Sequence, residues 1–360
     1  MKRWIYIIAI TVAALGLVGL TIIMREFESA MAVRVNIPKN ATQESVRDSL
    51  AKSLGTDYGS VVYRLWQVAS GDPAKAHGSY VVEPGTTAVT AAHNISENRQ
   101  TPVKVTINNV RTLDDLTKRL GAKLEVTPSE IKEAMHNIIG GSPHFGGVET
   151  YPAAFLPDTY EFYWTDTAEH VVQKLVAERN KFWNRERLDK AAKLGLTPVE
   201  VATIASIVEE ESNKKDERPT IARLYMNRVN QGMKLQADPT VKFATGNFAL
   251  RRITGKHLKI DSPYNTYRNA GLPPGPIRIP QKETIDAVLN APPNSYIYMC
   301  AKEDFSGYHN FASDYKTHAA NAKKYQAALN RRGLAPSSTA RTPSARASSF
   351  LNLSRLSHAR

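Results

Sequence analysis

Three consecutive glutamates, Glu209, Glu210 and Glu211, close a stretch in which Ile204, Ile207, Val208 and Glu211 recur at i, i+3, i+4 and i+7. On a helix with 3.6 residues per turn this spacing places Glu211 in the middle of an apolar face and turns Glu209 and Glu210 away from it. A carboxyl held against apolar side chains is desolvated, which disfavours its charged form and lifts its pKa toward the range useful to a general acid. The alternative is a solvated acidic run at a helix end, or a carboxylate at the core edge bridged to an arginine. The helix start is itself written in Thr197-Pro198-Val199-Glu200, a capping box with Thr at the N-cap, Pro in the first turn and Glu at the third position.

Further along, Gly232–Val241 contains Gln236 and Asp238, and Asp238 precedes Pro239, a context that predicts an extended or turn conformation. Tyr264-Asn265-Thr266-Tyr267 and Gly271-Leu-Pro-Pro-Gly-Pro276 make a polar and aromatic stretch followed by a stiff turn that could wall a cleft. Leu156-Pro-Asp-Thr-Tyr160 reads the same way, with an Asx-type turn capping a helix as its alternative. His309 and His318 lack an i, i+4 partner with metal-ligand spacing, and the single cysteine, Cys300, excludes an intramolecular disulfide and a Cys-based zinc site. No metal and no cofactor are expected.

These residues need a scaffold, and 360 residues with 42% hydrophobic and 22% charged side chains suffice for two or three folded domains. Trp4–Met24 is a run of 21 uncharged residues, long enough as a helix to span the ~30 Å hydrocarbon layer. Lys2 and Arg3 precede it, while Arg25, Glu26 and Glu28 follow, so the positive-inside rule keeps the N-terminus cytoplasmic and sends the rest out of the cytoplasm. A cleaved signal peptide ending at Ala30-Met31-Ala32 is the alternative, disfavoured because the run exceeds the ~7–15 residues of a secretory h-region. Short alternating runs at 33–37, 78–82 and 103–107, separated by amphipathic stretches such as Ser45–Leu54 and Thr112–Leu120, predict one or two small α+β modules over 33–145. After the glycine pairs at 140–141 and 146–147 a larger mixed α+β domain is expected over 146–330, then a disordered basic tail over 331–360. The net charge of +13 does not point to nucleic acid, because the six arginines of that tail together with Lys2 and Arg3 supply eight of the thirteen charges.

Taken in order, Leu156–Tyr160, Ala205-Ser-Ile-Val-Glu-Glu-Glu211, Asn227-Arg228, Gly232–Val241, Tyr264–Tyr267 and Gly271–Pro276 resemble the motifs of the endolytic murein transglycosylases, the YceG-like family. The resemblance implies an α+β fold with an N-terminal inner-membrane helix, a LysM-like part over 33–145 and a catalytic domain over 146–330. It implies Glu211 as the catalytic residue, agreeing with the helical-face reading. Glu210 departs from the family pattern, which often has Lys there. The implied activity is lytic transglycosylation, a lyase reaction on peptidoglycan that cuts the MurNAc–GlcNAc β-1,4 bond, forms 1,6-anhydroMurNAc and so ends nascent strand elongation. One carboxyl serves as acid and then as base. Gln236, Asp238, Tyr264 and Asn265 are the candidates to hold the sugar. The implied setting is the inner membrane, single-pass, with the catalytic domain in the periplasm; the implied partners are peptidoglycan glycan strands and, as candidates, peptidoglycan synthases. Two alternatives stay open: a non-catalytic cell-wall binding or scaffold protein of the same fold, and a hydrolase whose second carboxylate, at ~5–9.5 Å, would be Asp238 or Asp158.

Overall fold

The structure, a computed structural model, describes residues 2–250 and 252–333. Two compact units share the chain: one takes the chain up to Val105 with Lys118–Ile131 and Thr159–Val171, the other takes Thr106–Thr117, Lys132–Asp158 and the chain from Val172 onward. The sequence placed one boundary after residue 145, whereas these units interleave. Composition marks loops along the chain; it carries no information on which distant segments fold back together.

The elements of the first unit begin with α1 (Lys2–Ile23), β1 (Val33–Ile37), α2 (Gln43–Leu54), α3 (Thr56–Ala69), α4 (Pro73–Ala76), β2 (Gly78–Val82) and α5 (Ala88–Ser96). Within α1, Trp4–Ile23 is long and apolar enough to cross a membrane and is buried nowhere in the protein. β1 and β2 pair antiparallel, with Val33 opposite Val82 and Ile37 opposite Gly78. Their inward residues meet Val46, Leu50, Val62, Trp66 and Ile95 in one core. Thr42 caps α2 by accepting the Ser45 N–H, so the amphipathic run expected at 45–54 starts two residues earlier, at Gln43.

The remaining elements, in chain order, are β3 (Val103–Ile107), α6 (Leu113–Gly121), α7 (Pro128–Ile139), β4 (Asp158–Phe162), α8 (Ala168–Phe182), α9 (Arg185–Lys193), α10 (Pro198–Glu211), α11 (Arg218–Asn230), α12 (Asp238–Thr245), α13 (Lys282–Leu289), β5 (Tyr298–Ala301), β6 (His309–Ala312) and α14 (Tyr315–Arg331). β3 pairs with β4, and β5 runs antiparallel to β6 with Ala301 opposite His309. The class is mixed α+β, with sheets of two strands each, so in the second unit helix packing makes most of the core. α10 is its centre, packed on α9, α11, α12, α13 and the 3-10 turn Val148–Ala154.

Three local expectations change. Asp158 opens strand β4 rather than a turn, its carboxylate paired with Lys282. Asp238 and Pro239 are not extended; they form the first turn of α12, where proline's missing N–H costs no helical hydrogen bond, and the extended residue is the N-cap Ala237. Arg331, assigned to the tail, is the last residue of α14; the tail from 334 lies outside the described residues.

Candidate active site

Thr197 and Glu200 make the reciprocal capping-box bonds: Glu200 N–H donates to Thr197 Oγ1 at 3.2 Å and Thr197 N–H donates to Glu200 Oε2 at 2.8 Å. The helix thus begun is buried almost all round, from Val201 through Glu209 and again at Glu211. The single apolar face expected from periodicity is therefore broader than one stripe. Polar positions inside it are satisfied locally: Ser206 Oγ donates to Thr203 O at 2.7 Å and accepts the Ile277 N–H at 3.0 Å.

The three glutamates at its end meet three environments. Glu209 Oε2 accepts the Gln281 N–H at 2.7 Å and the Thr284 hydroxyl at 2.9 Å, and Glu209 Oε1 lies 3.1 Å from Arg278 Nη2. Glu210 takes Arg278 Nη1 at 2.7 Å and Arg111 Nη2 at 3.0 Å. Glu211 is only 9% exposed and, among the described residues, has no arginine clamped to it; its Oε2 receives a long contact from the Tyr225 hydroxyl at 3.4 Å. Burial pushes the Glu211 carboxyl up to about 7; His309 opposes the rise, Asp238 adds to it, and Tyr225 and Arg228 oppose it more weakly. Asp238, also buried, is pushed up to about 6 by desolvation, opposed by the Tyr267 hydroxyl that donates to its Oδ1 at 2.6 Å. Two carboxyls near neutrality thus sit in one desolvated centre.

α11 contributes Tyr225 and Arg228. The same i, i+3, i+4, i+7 spacing that selects Glu211 runs through Ile221, Leu224, Tyr225 and Arg228 on this helix, and all four are buried. Arg228 Nε donates to Ile297 O at 2.6 Å and its Nη1 to Leu235 O at 2.7 Å, so one guanidinium ties the strand entry to the Gly232–Val241 loop. That loop is stitched to the next one: Gln236 N–H donates to Thr266 O at 3.1 Å, Ala237 N–H to Thr266 Oγ1 at 3.1 Å, and the Thr240 and Thr266 hydroxyls meet at 2.8 Å. Gln236 adopts φ +51°, a left-handed conformation that costs a non-glycine residue ~1–2 kcal/mol, and its side chain is exposed.

Of the sugar-binding candidates, Asp238 joins the Glu211 centre and Gln236 begins the segment leading to it. Tyr264 is half-buried with its ring 4.7 Å from that of Phe243, and burial pushes its phenol up to about 12. Asn265 is 0% exposed; its amide donates to Leu258 O at 3.0 Å and Ile260 O at 2.8 Å, and its oxygen accepts the Tyr267 N–H at 3.1 Å. Both amide hydrogens and the oxygen of Asn265, expected from sequence to contact a sugar, are engaged within its own loop.

Sequence reasoning passed over Tyr225, Arg228, Tyr267 and His309 as site residues. His309, without a metal-ligand partner in the sequence, is partnered by a carboxylate, with Nδ1 3.0 Å from Glu217 Oε2 and the backbone N–H donating to Glu217 Oε1 at 2.7 Å. Ninety-two positions separate the two residues, a distance no local pattern reports. The helical spacing on α11 was the signal available for Tyr225 and Arg228.

A mixed α+β protein with an acid-bearing central helix and a desolvated pair of carboxyls at its end is the class that fold and site define. The YceG-like family model matches residues 35–324, and the chain belongs to that family. An endolytic murein transglycosylase of Bacillus subtilis (strain 168) is 35% identical over 176 residues, 49% of this chain and 48% of that protein. One from Streptococcus pneumoniae serotype 2 is 33% identical over 150 residues, 41% of this chain and 27% of that protein. The chain thus spans about half the length of the first relative and about a quarter of the second. The crystal structure of a yceG-like protein from Listeria monocytogenes superposes with a TM-score of 0.55 at 25% identity, covering 81% of this chain and 99% of that one.

Proposed function

We propose that this chain is a membrane-anchored lytic transglycosylase that cuts peptidoglycan glycan strands internally, with Glu211 as acid and base. The observation that carries the reading is the buried Glu211 carboxyl, held near pH 7 at the end of α10, in a chain of the YceG-like family. A group titrating near the working pH can both give and take a proton. In the first step Glu211 protonates the oxygen bridging MurNAc C1 to GlcNAc, and the C1–O electron pair leaves with that oxygen. In the second the Glu211 carboxylate takes the proton of the muramic C6 hydroxyl as that oxygen bonds to C1. The ring closes as 1,6-anhydroMurNAc, no water is consumed and Glu211 ends protonated as it began. Gln236, Asp238 and Tyr264 bind and orient the sugar, contributing through position. Asn265 acts one step back, by shaping their loop.

The apolar span of α1 supports a single-pass inner-membrane anchor with the N-terminus in the cytoplasm and the remainder periplasmic. Tethering there raises the effective concentration of the domain at the site where nascent strands are made, next to peptidoglycan synthases as candidate partners. The order of residues 33–82, a strand, two long helices, the short α4 and the pairing strand, supports a LysM-like, glycan-holding role for the first unit.

Asp238 favours one competing reading, since a second buried carboxyl beside Glu211 is what a hydrolase needs. Mass spectrometry of purified peptidoglycan digested by the chain separates the two. Anhydromuramic ends are expected; reducing muramic ends would make it a hydrolase, and intact strands a binding protein.

A further inference from the structure

Two acids precede Glu211 in the chain, Glu209 buried and Glu210 partly so. Bare, they would place two negative charges one and two residues from the acid. Arg278 meets both: Nη1 donates to Glu210 Oε1 at 2.7 Å, while Nη2 lies 3.1 Å from Glu209 Oε1 and donates to Asn109 Oδ1 at 2.8 Å. Arg111 closes on the far side of Glu210, its Nη2 reaching both carboxylate oxygens at 3.1 and 3.0 Å. Arg278 Nε is buried without a hydrogen-bond partner, so the fork is oriented by the carboxylates at the expense of its third N–H position. The backbone on either side of Arg278 is pinned as well, Ile277 N–H to Ser206 Oγ on α10 and Ile279 N–H to Val110 O, each at 3.0 Å. As a contribution to stability alone such a network is poorly suited, because desolvating four charges costs about what their attraction returns and apolar side chains would pack as well.

We propose that Arg278 is a positioning residue for Glu211: it clamps Glu209 and Glu210 in one guanidinium, fixing the last turn of α10 and, with Arg111, cancelling the two charges next to the acid. The idea rests on Glu211 being the general acid. The groups that otherwise act on Glu211 are Tyr225 and Arg228 from α11, Asp238 from α12 and His309 from β6. Against that fixed background the four-residue network is neutral, two arginines against two glutamates. Arg278→Gln leaves it one charge negative, Glu210→Gln leaves it one charge positive, and the double variant restores neutrality without the clamp.

The test measures anhydromuropeptide release from purified peptidoglycan by the full chain in detergent, as kcat and KM across pH, with thermal melts. The informative feature is the alkaline limb, where the general acid loses its proton. In Arg278→Gln that limb should move up by on the order of half a pH unit, and in Glu210→Gln down by a similar amount, as expected for one unbalanced charge beside the last turn of α10 at an intermediate dielectric. The double variant should return the limb to its original position while kcat stays roughly tenfold low at near-constant KM, since the positional part of the clamp is gone. Limbs that do not move, or that move the same way in both single variants, overturn the proposal, as does a double variant whose limb stays displaced. If Arg278→Gln does not fold, the downward shift in Glu210→Gln decides alone. Glu211→Gln separates the two levels: if it stays active, the general-acid reading falls and the clamp with it; if it is dead while the limbs stay fixed, only the clamp falls.

Discussion

Glu209, Glu210 and Glu211 are chemically identical, and their neighbours give them separate work. Glu211→Gln keeps the volume and a hydrogen-bonding head but cannot transfer a proton, so anhydromuropeptide release should fall by ~10²–10⁴-fold or more, since the proposed mechanism uses this one group as both acid and base. The same substitution should stabilise the fold in a pH-dependent way. The native Glu211 carboxyl sits at about 7 against an ordinary 4.5, so the folded state binds the extra proton between those values. Its contribution is fully present below about pH 4.5 and is lost as pH rises through 7. Melts of wild type and Glu211→Gln should therefore differ little at pH 4 and diverge by pH 8, with the variant higher; the limit is about 3 kcal/mol, from 1.36 kcal/mol per pH unit. Glu209→Gln should do the reverse, lowering the melting temperature by several degrees, because it unbalances a buried pair worth ~3–5 kcal/mol when broken, while sparing more activity than Glu211→Gln does.

At the level of elements, α10 delivers Glu211 only if its start and its neighbouring loop are both held. The capping box at Thr197 is one anchor; Thr197→Ala should cost about 1 kcal/mol, read from denaturant unfolding. The Gly271–Pro276 loop is the other. A Cβ at Gly275 would stand 1.9 Å from the Glu149 carbonyl oxygen, a backbone atom that no rotamer change can move aside. Gly275→Ala should therefore displace the loop from the turn at Val148–Ala154, lowering both the melting temperature and the activity, whereas the loop's Gly271, with φ +81° and open space around it, should suffer mainly conformational strain on the same change.

At the scale of the molecule, anchor and chemistry should be separable. A chain beginning after Arg25 loses the apolar span and should leave the membrane fraction, yet it should still cleave isolated peptidoglycan, because the groups acting on Glu211 come from α11, α12 and β6. Removing residues 334–360 should likewise leave cleavage of isolated peptidoglycan within about tenfold of the full chain, since their sequence carries charge of one sign and no apolar periodicity. Reporter fusions after Arg25 and after Arg331 that are active only outside the cytoplasm would support the proposed topology.

What the sequence determined by itself is what short-range periodicity and capping encode. The start of α10 follows from Thr197 to Glu200, the strands at 33–37, 78–82 and 103–107 from alternation, the membrane-length helix from 21 uncharged residues, and the burial of Glu211 from its apolar neighbours one and two turns back. Tertiary structure alone decided the company each polar group keeps. Asp238 and His309 act on Glu211 from 27 and 98 positions away, Arg111 reaches Glu210 from 99, and Asn265, a free polar side chain by sequence alone, spends its amide inside its own loop. The physical reason is that burial of an apolar face is a local, additive signal repeated every turn, whereas the partner of a buried charge is selected by the packing of elements whose separation along the chain leaves no periodic trace.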